Sequence, residues 1–153
     1  MRVSAKADYA VRAAVELATQ PPDVPVRADQ IAVSQDIPLR FLENILHEMR
    51  NNDLVESQLG ADAGYWLTKP AAEITIADVM RSVEGPIGAV RGENPHEVPY
   101  RGSAKPLQDV WLALRANVGA VLETVTLADV AAGALPAPVR ELSAQPERTR
   151  QAT

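Results

Sequence analysis

Apolar residues recur along this chain at helical spacing in some stretches and alternate in others. Val3, Ala7, Ala10, Val11, Ala14, Leu17 and Ala18 fall three or four apart, which predicts an amphipathic helix over 4–19. On another face Asp8, Arg12 and Glu16 stand four apart and form an expected ion-pair ladder. The prolines of "TQPPDVPV" end that helix. "RADQIAVS" reads as a helix of about two turns. After a brief turn, "QDIPLRFLENILHEMRNN" predicts a second amphipathic helix over 38–51, with Pro38 in its first turn. Phe41, Leu42, Ile45, Leu46 and Met49 make its apolar stripe, and Arg40, Glu43, Asn44, His47, Arg50 and Asn51 its polar face.

"LVESQ" and "YWLTK" are rich in β-formers and are joined by the small residues of "LGADAG", which predicts a hairpin. In "TIADVMRSVEG", Thr75 and Asp78 have capping-box spacing and Gly85 stands as the stop. A long loop over 86–104 follows, of a length that in compact domains is usually functional or disordered. Leu107, Val110, Trp111, Leu114, Val118, Val121, Leu122 and Val125 then predict a helix from about 105 to 124, roughly 30 Å long. Thr126 and Asp129 cap a short helix ending near Gly133, and residues 134–153 are expected to be a flexible tail.

Helix, short helix, turn, helix and two-stranded wing is the order of a winged helix-turn-helix. The fold expected is mainly α with a small β-hairpin wing, plus a long dimerisation helix. Residues 1–85 are expected to form a winged helix-turn-helix DNA-binding domain, 86–104 a loop, and 105–133 the dimerisation helix and short terminal helix. A single long helix cannot bury its own apolar stripe, so Leu107, Val110, Trp111, Leu114, Val118, Val121 and Leu122 are the expected interface of a homodimer. Trp111 with Leu107, Leu114 and Val118 also has an alternative role as one wall of a small-molecule pocket.

The 153 residues carry no cysteine, which excludes thiolate ligands and nucleophiles. The formal charge of −5 argues against binding nucleic acid through bulk charge, but says nothing of local patches. No glycine-rich phosphate loop or nucleophile beside a base is present, so an enzyme is not expected. The N-terminus lacks an apolar signal core, and a cytoplasmic protein is the expectation.

The blocks "MRVSAKADYAVRAAVELA", "IPLRFLENILHEMRNNDLVES" and "GYWLTKPAAEITIADVMRSVEGPI", in this order and spacing, resemble the Rrf-two family over roughly residues 1–130. These are dimeric winged-helix transcription regulators, among them iron–sulfur and nitric oxide sensors. In that family three cysteines between the "EGP" element and the long helix usually hold an iron–sulfur cluster. Arg91, Gly92, Glu93, His96, Tyr100 and Ser103 occupy that region here, so the usual cluster cannot form and no cofactor is expected. The family's wing usually begins with an Arg-Gly pair whose arginine enters the minor groove. The wing here runs from Leu59 and Gly60 through Asp62 to Gly64 and Tyr65, and Leu59 cannot make that contact.

Under this resemblance Arg40 is the candidate for guanine or phosphate, Glu43 for a cytosine amine and Asn44 for adenine, with His47 and Arg50 nearer the backbone. Arg2, Ser4, Lys6, Tyr9 and Lys69 are candidate phosphate contacts, and core packing is an equal alternative for Tyr9. In some relatives an acidic residue at the position of Asp8 is a cluster ligand; with Arg12 one turn away, a surface ion pair is the expectation here. His96, between Glu93 and Glu97, is read as a solvated loop residue rather than a metal ligand. The function expected is a dimeric, sequence-specific DNA-binding regulator, a cluster-free repressor, on a near-palindromic operator in double-stranded DNA. Two alternatives replace the cluster as a signal: a small-molecule or protein effector at the 86–104 loop, or no switch at all. The alternative is a winged-helix interaction module that has lost DNA binding.

Overall fold

The computed structural model of the chain describes residues 2–145. Helix α1 (Ala5–Ala18) is followed by α2 (Ala28–Gln35), α3 (Leu39–Asn51), the strands β1 (Val55–Gln58) and β2 (Gly64–Leu67), and α4 (Ile76–Glu84). Then come α5 (Leu107–Leu122), α6 (Leu127–Ala131) and α7 (Ala137–Ser143). The two strands pair antiparallel, with Val55 opposite Leu67 and Gln58 opposite Gly64. This is the mainly helical, winged helix-turn-helix arrangement that the periodicity predicts.

Small residues set the centre. Ala7, Ala10, Ala13 and Ala14 put a face without bulk on α1, so other helices approach it closely, and all four are fully buried. Leu42, Ile45, Leu46 and Met49 of α3 pack into the same core with Ile31 of α2, Val55 of β1 and Val79 and Val83 of α4. α2 ends at Asp36, whose left-handed backbone (φ 51°) turns the chain sharply toward α3. Pro38 takes the N-cap position of α3 rather than its first turn. The wing is anchored by a further bridge, in which Val26 and Tyr65 exchange backbone hydrogen bonds of 2.9 and 2.8 Å. That approach explains Gly64: a Cβ there would lie 2.7 Å from the Val26 nitrogen.

Both predicted capping boxes form. Thr75 Oγ1 accepts from the Asp78 N–H at 3.1 Å, and an Asp78 carboxylate oxygen accepts from the Thr75 N–H at 3.0 Å. Thr126 and Asp129 repeat the pattern at α6. The two caps also meet. The Ile76 N–H donates to the Val125 carbonyl, and the Leu127 N–H to that of Ile74, both at 2.9 Å. Leu127 thereby enters the core, so α6 belongs with the N-terminal domain rather than with the helix before it.

Four expectations are corrected. Helix α5 is shorter than 105–124, because Pro106 stands at its N-cap behind a single 3₁₀ turn over Gly102–Ala104. The stretch expected to be a tail from 134 carries α7, with Pro136 at its N-cap and Pro138 pre-set for its first helical turn; residues 146–153 of that expectation lie outside the described residues. Phe41 leaves the buried stripe and is 38% exposed, edge-on to Tyr9 with ring centres 5.6 Å apart. The acidic ladder stops after one rung: Arg12 pairs with Asp8 at 2.7 Å, but Glu16 instead accepts from Ser34 and Gln35 of α2.

Candidate nucleic-acid interface

Helix α3 is held by four side chains that are at most 1% exposed, and its opposite face carries Arg40, Glu43, Asn44, His47 and Arg50 in solvent. The same 3.6-residue period that buries one face therefore displays the other. Part of this polar face is pre-ordered. Arg50 donates to the Ser57 hydroxyl of the wing at 3.0 Å, and His47 Nε2 lies 3.2 Å from the Asn51 amide. Arg40, Glu43 and Asn44, toward the N-terminal half, carry no hydrogen bond or ion pair among the described residues.

Between α3, the wing and the start of α2 runs an open groove whose walls include Arg27, Leu39, Glu43, His47, Ser57 and Gln58. Arg27, Leu39, Ser57 and Gln58 are not among the residues that the periodicity or the resemblance marks as candidate contacts. The signal available was "RADQ", a basic residue at the N-terminus of the helix preceding α3. Arg27 forms a fork-on-fork pair with Asp29, at 3.0 and 3.1 Å. The hydrogen bond from Arg27 holds the Asp29 carboxyl below its ordinary range, and the partner raises the guanidinium. Both groups are exposed, so this pair adds little to stability and exchanges readily for other charges.

The remaining candidates are distributed unevenly. Ser4 caps α1, accepting from the Ala7 N–H at 3.0 Å while its hydroxyl donates to Glu84. Lys6 is paired with Glu48 of α3 at 2.7 Å. Tyr9 is half-buried between Phe41 and the Arg12 guanidinium, which sits 4.7 Å above its ring. Arg2 and Lys69 are exposed. At the wing tip Leu59 is 93% exposed and the Gln58 amide donates to the Asp62 carbonyl, so the tip presents no cation.

On α5, Leu107, Val110 and Leu114 are 41%, 52% and 46% exposed, and Trp111, Val118, Val121 and Leu122 are half-buried. The 86–104 loop lies along this helix. Arg91 and Gly92, both at positive φ, make a tight turn closed by the paired backbone of Val90 and Glu93. Arg115 donates to Asn94 Oδ1 at 2.8 Å, and Gln108 to the carbonyls of Pro95 and His96 at 3.0 and 3.2 Å. Pro95 and Val98 are buried. Thus the region where the family places its cluster is closed by its own hydrogen bonds. With no cysteine in the chain, a cysteine-ligated cluster does not fit it. Among the described residues no three His, Asp or Glu side chains converge as a metal site, and no helix is long and apolar enough to cross a membrane.

Comparison with known proteins places this geometry. A family model named Rrf2, described as an iron-dependent transcriptional regulator, matches residues 3–133. The chain is 50% identical to Rv1287 of Mycobacterium tuberculosis (strain ATCC 25618 / H37Rv), a candidate HTH-type transcriptional regulator, over 94% of this chain and 89% of that one. It is 32% identical to the HTH-type transcriptional regulator CymR of Bacillus subtilis (strain 168), over 86% and 90% of the two chains. The solved structure of CymR, the global cysteine regulator of B. subtilis, superposes with a TM-score of 0.74 at 31% identity, covering 87% of this chain and 98% of that one. T. potens IscR superposes with a TM-score of 0.71 at 29% identity, over 88% and 89%. The chain is therefore a DNA-binding regulator rather than an enzyme, and it belongs to the Rrf2 family of winged helix-turn-helix transcriptional regulators.

Proposed function

We propose that the chain works as a homodimeric, sequence-specific repressor that needs no iron–sulfur cluster to bind its operator. The observation that carries this reading is α3, anchored by Leu42, Ile45, Leu46 and Met49 and presenting Arg40, Glu43 and Asn44 from its N-terminal half. A helix so held enters a major groove with those residues toward the base edges. Arg40 pairs with guanine or a phosphate, Glu43 accepts from a cytosine amine, and Asn44 meets adenine. His47, Arg50, Arg2 and Lys69 lie nearer the backbone. The half-exposed apolar face of α5 supports pairing of two copies, as Leu107, Val110 and Leu114 have no cover in one chain. Two-fold symmetry then gives a near-palindromic operator with half-sites about one or two turns apart, ~34 Å per turn.

The effector acts where the 86–104 loop meets α5. A cavity of about 400 Å³ lies there, between the end of α4, Ile87 of the loop, and Arg115 and Gly119 of α5. Replacing Arg40 by Ala tests the assignment of α3. If Arg40 reads a guanine, affinity for the preferred site falls by ~1–3 kcal/mol and preference relaxes at one base pair. An equal loss on every sequence would make Arg40 a phosphate contact instead.

The exposure of Leu59 at 93% on a wing without a cation favours a second reading, an interaction module that has lost DNA binding. Salt separates the two. A DNA-binding chain loses affinity steeply as salt rises, because phosphate contacts release counterions. An interaction module has no sequence-dependent DNA affinity at any salt.

A further inference from the structure

Three separate contacts converge on Arg12 of α1. Its Nη2 donates to Asp8 at 2.7 Å and its Nη1 to the Gln35 carbonyl at 2.8 Å. Gln35 is the last residue of α2, so this bond satisfies a carbonyl that the helix itself leaves open. The guanidinium carbon sits over Tyr9, 4.7 Å from the ring centre, and Tyr9 in turn meets Phe41 edge-on at an interplanar angle of 81°. Arg12 Nε is buried without a hydrogen-bond partner among the described residues, so Arg12 keeps this placement at a cost. Beside it Glu16 accepts from the Ser34 hydroxyl at 2.6 Å and the Gln35 amide at 2.5 Å.

These contacts all act on one joint. Gln35 precedes Asp36, the left-handed residue that redirects the chain, and Phe41 lies in the first turn of α3. Arg12 therefore grips the end of α2 directly and the start of α3 through the Tyr9 ring and the Phe41 ring that meets it edge-on. The angle between those helices fixes where Arg40, Glu43 and Asn44 stand relative to a groove.

We propose that Arg12 is a positioning residue for DNA recognition, one that sets the direction of α3 from α1 without touching DNA itself. This rests on the reading of α3 as the base-contacting helix. The residue type follows from the task. Only a planar fork can serve Asp8 and the Gln35 carbonyl while its face covers an aromatic ring; a lysine supplies charge but neither the fork nor the stack.

The test uses the full chain and a DNA site that the wild-type protein selects from a random pool, with scrambled DNA as control. Affinity for both is measured by anisotropy over a salt series, at a temperature where circular dichroism shows each variant folded. Arg12→Met and Arg12→Lys are both expected to lower the preference for the selected site by about tenfold, the discrimination one good base contact supplies. Binding to scrambled DNA and the dependence of log K on log salt stay as in the wild type. A salt slope reduced by about 1 in Arg12→Met would make Arg12 a phosphate contact and overturn the proposal. So would wild-type preference in Arg12→Lys, since charge alone would then suffice. Phe41→Leu keeps the apolar bulk and removes the ring edge; should Arg12→Met not fold, undiminished preference in Phe41→Leu overturns the proposal and a matching loss supports it. If the wild-type chain selects no sequence at all, the reading of α3 fails and this proposal with it.

Discussion

Leu114→Ala probes the apolar face of α5 where one chain leaves it uncovered. Leu114 is 46% exposed, so about half of its side chain remains to be buried when a second copy packs there. Full burial of a leucine contributes ~1.5–3 kcal/mol, which puts the outstanding half near ~1 kcal/mol per protomer. An isologous interface uses the residue twice, giving ~2 kcal/mol and about a thirtyfold weaker dimer. The fold of the single chain loses less, because the other half of Leu114 already rests on its neighbours. Sedimentation equilibrium across a concentration series measures the dissociation constant. Denaturation at a dilution where both proteins are monomeric supplies the second half of the comparison. A dimer constant unchanged from wild type, alongside a destabilised monomer, would refute the reasoning: Leu114 would then pack only within its own chain.

Three further perturbations follow from the wing and the helices. Leu59→Arg returns a cation to the wing tip, and the slope of log K against log salt should steepen by about 1 with tighter binding to AT-rich flanks; an unaltered slope would mean the tip does not reach DNA. Gly119→Ala should stabilise the chain by ~0.5–1 kcal/mol in urea denaturation, since Gly119 is mid-helix and a Cβ there meets nothing within 4 Å. A loss of stability instead would show that something closes on that space. Thr75→Ala removes the hydroxyl that caps α4 and should cost ~1 kcal/mol, read the same way; no cost would mean that the pairing of the two caps suffices to hold this helix start.

How far the sequence discloses this structure depends on whether a feature is set locally. Thr75 with Asp78 and Thr126 with Asp129 are visible because both partners of each cap lie within four residues. The buried stripe of α3 is visible for the same reason, in the repeat of Leu42, Ile45, Leu46 and Met49. What the sequence hides is settled by distant partners. Glu16 looks like a rung beside Arg12 until α2 brings Ser34 and Gln35 to it. Phe41 has the hydropathy of a core residue, yet Tyr9 of α1 holds it at the rim. Ser4 and Lys6 read as candidate phosphate contacts, but Glu84 and Glu48 take them up from α4 and α3. The meeting of the α4 and α6 caps, which draws Leu127 into the core, joins residues about fifty positions apart and leaves no pattern in either segment.

The central claim is that α3 reads DNA without a cluster. Fluorescence anisotropy of the purified, metal-free protein against DNA upstream of its own gene, beside scrambled DNA at about 150 mM salt, tests it most directly. The account predicts tight binding to the first, weak binding to the second, and no change on adding iron and sulfide. Equal affinity for both DNAs, or a preference that arises only after iron and sulfide are added, would contradict it.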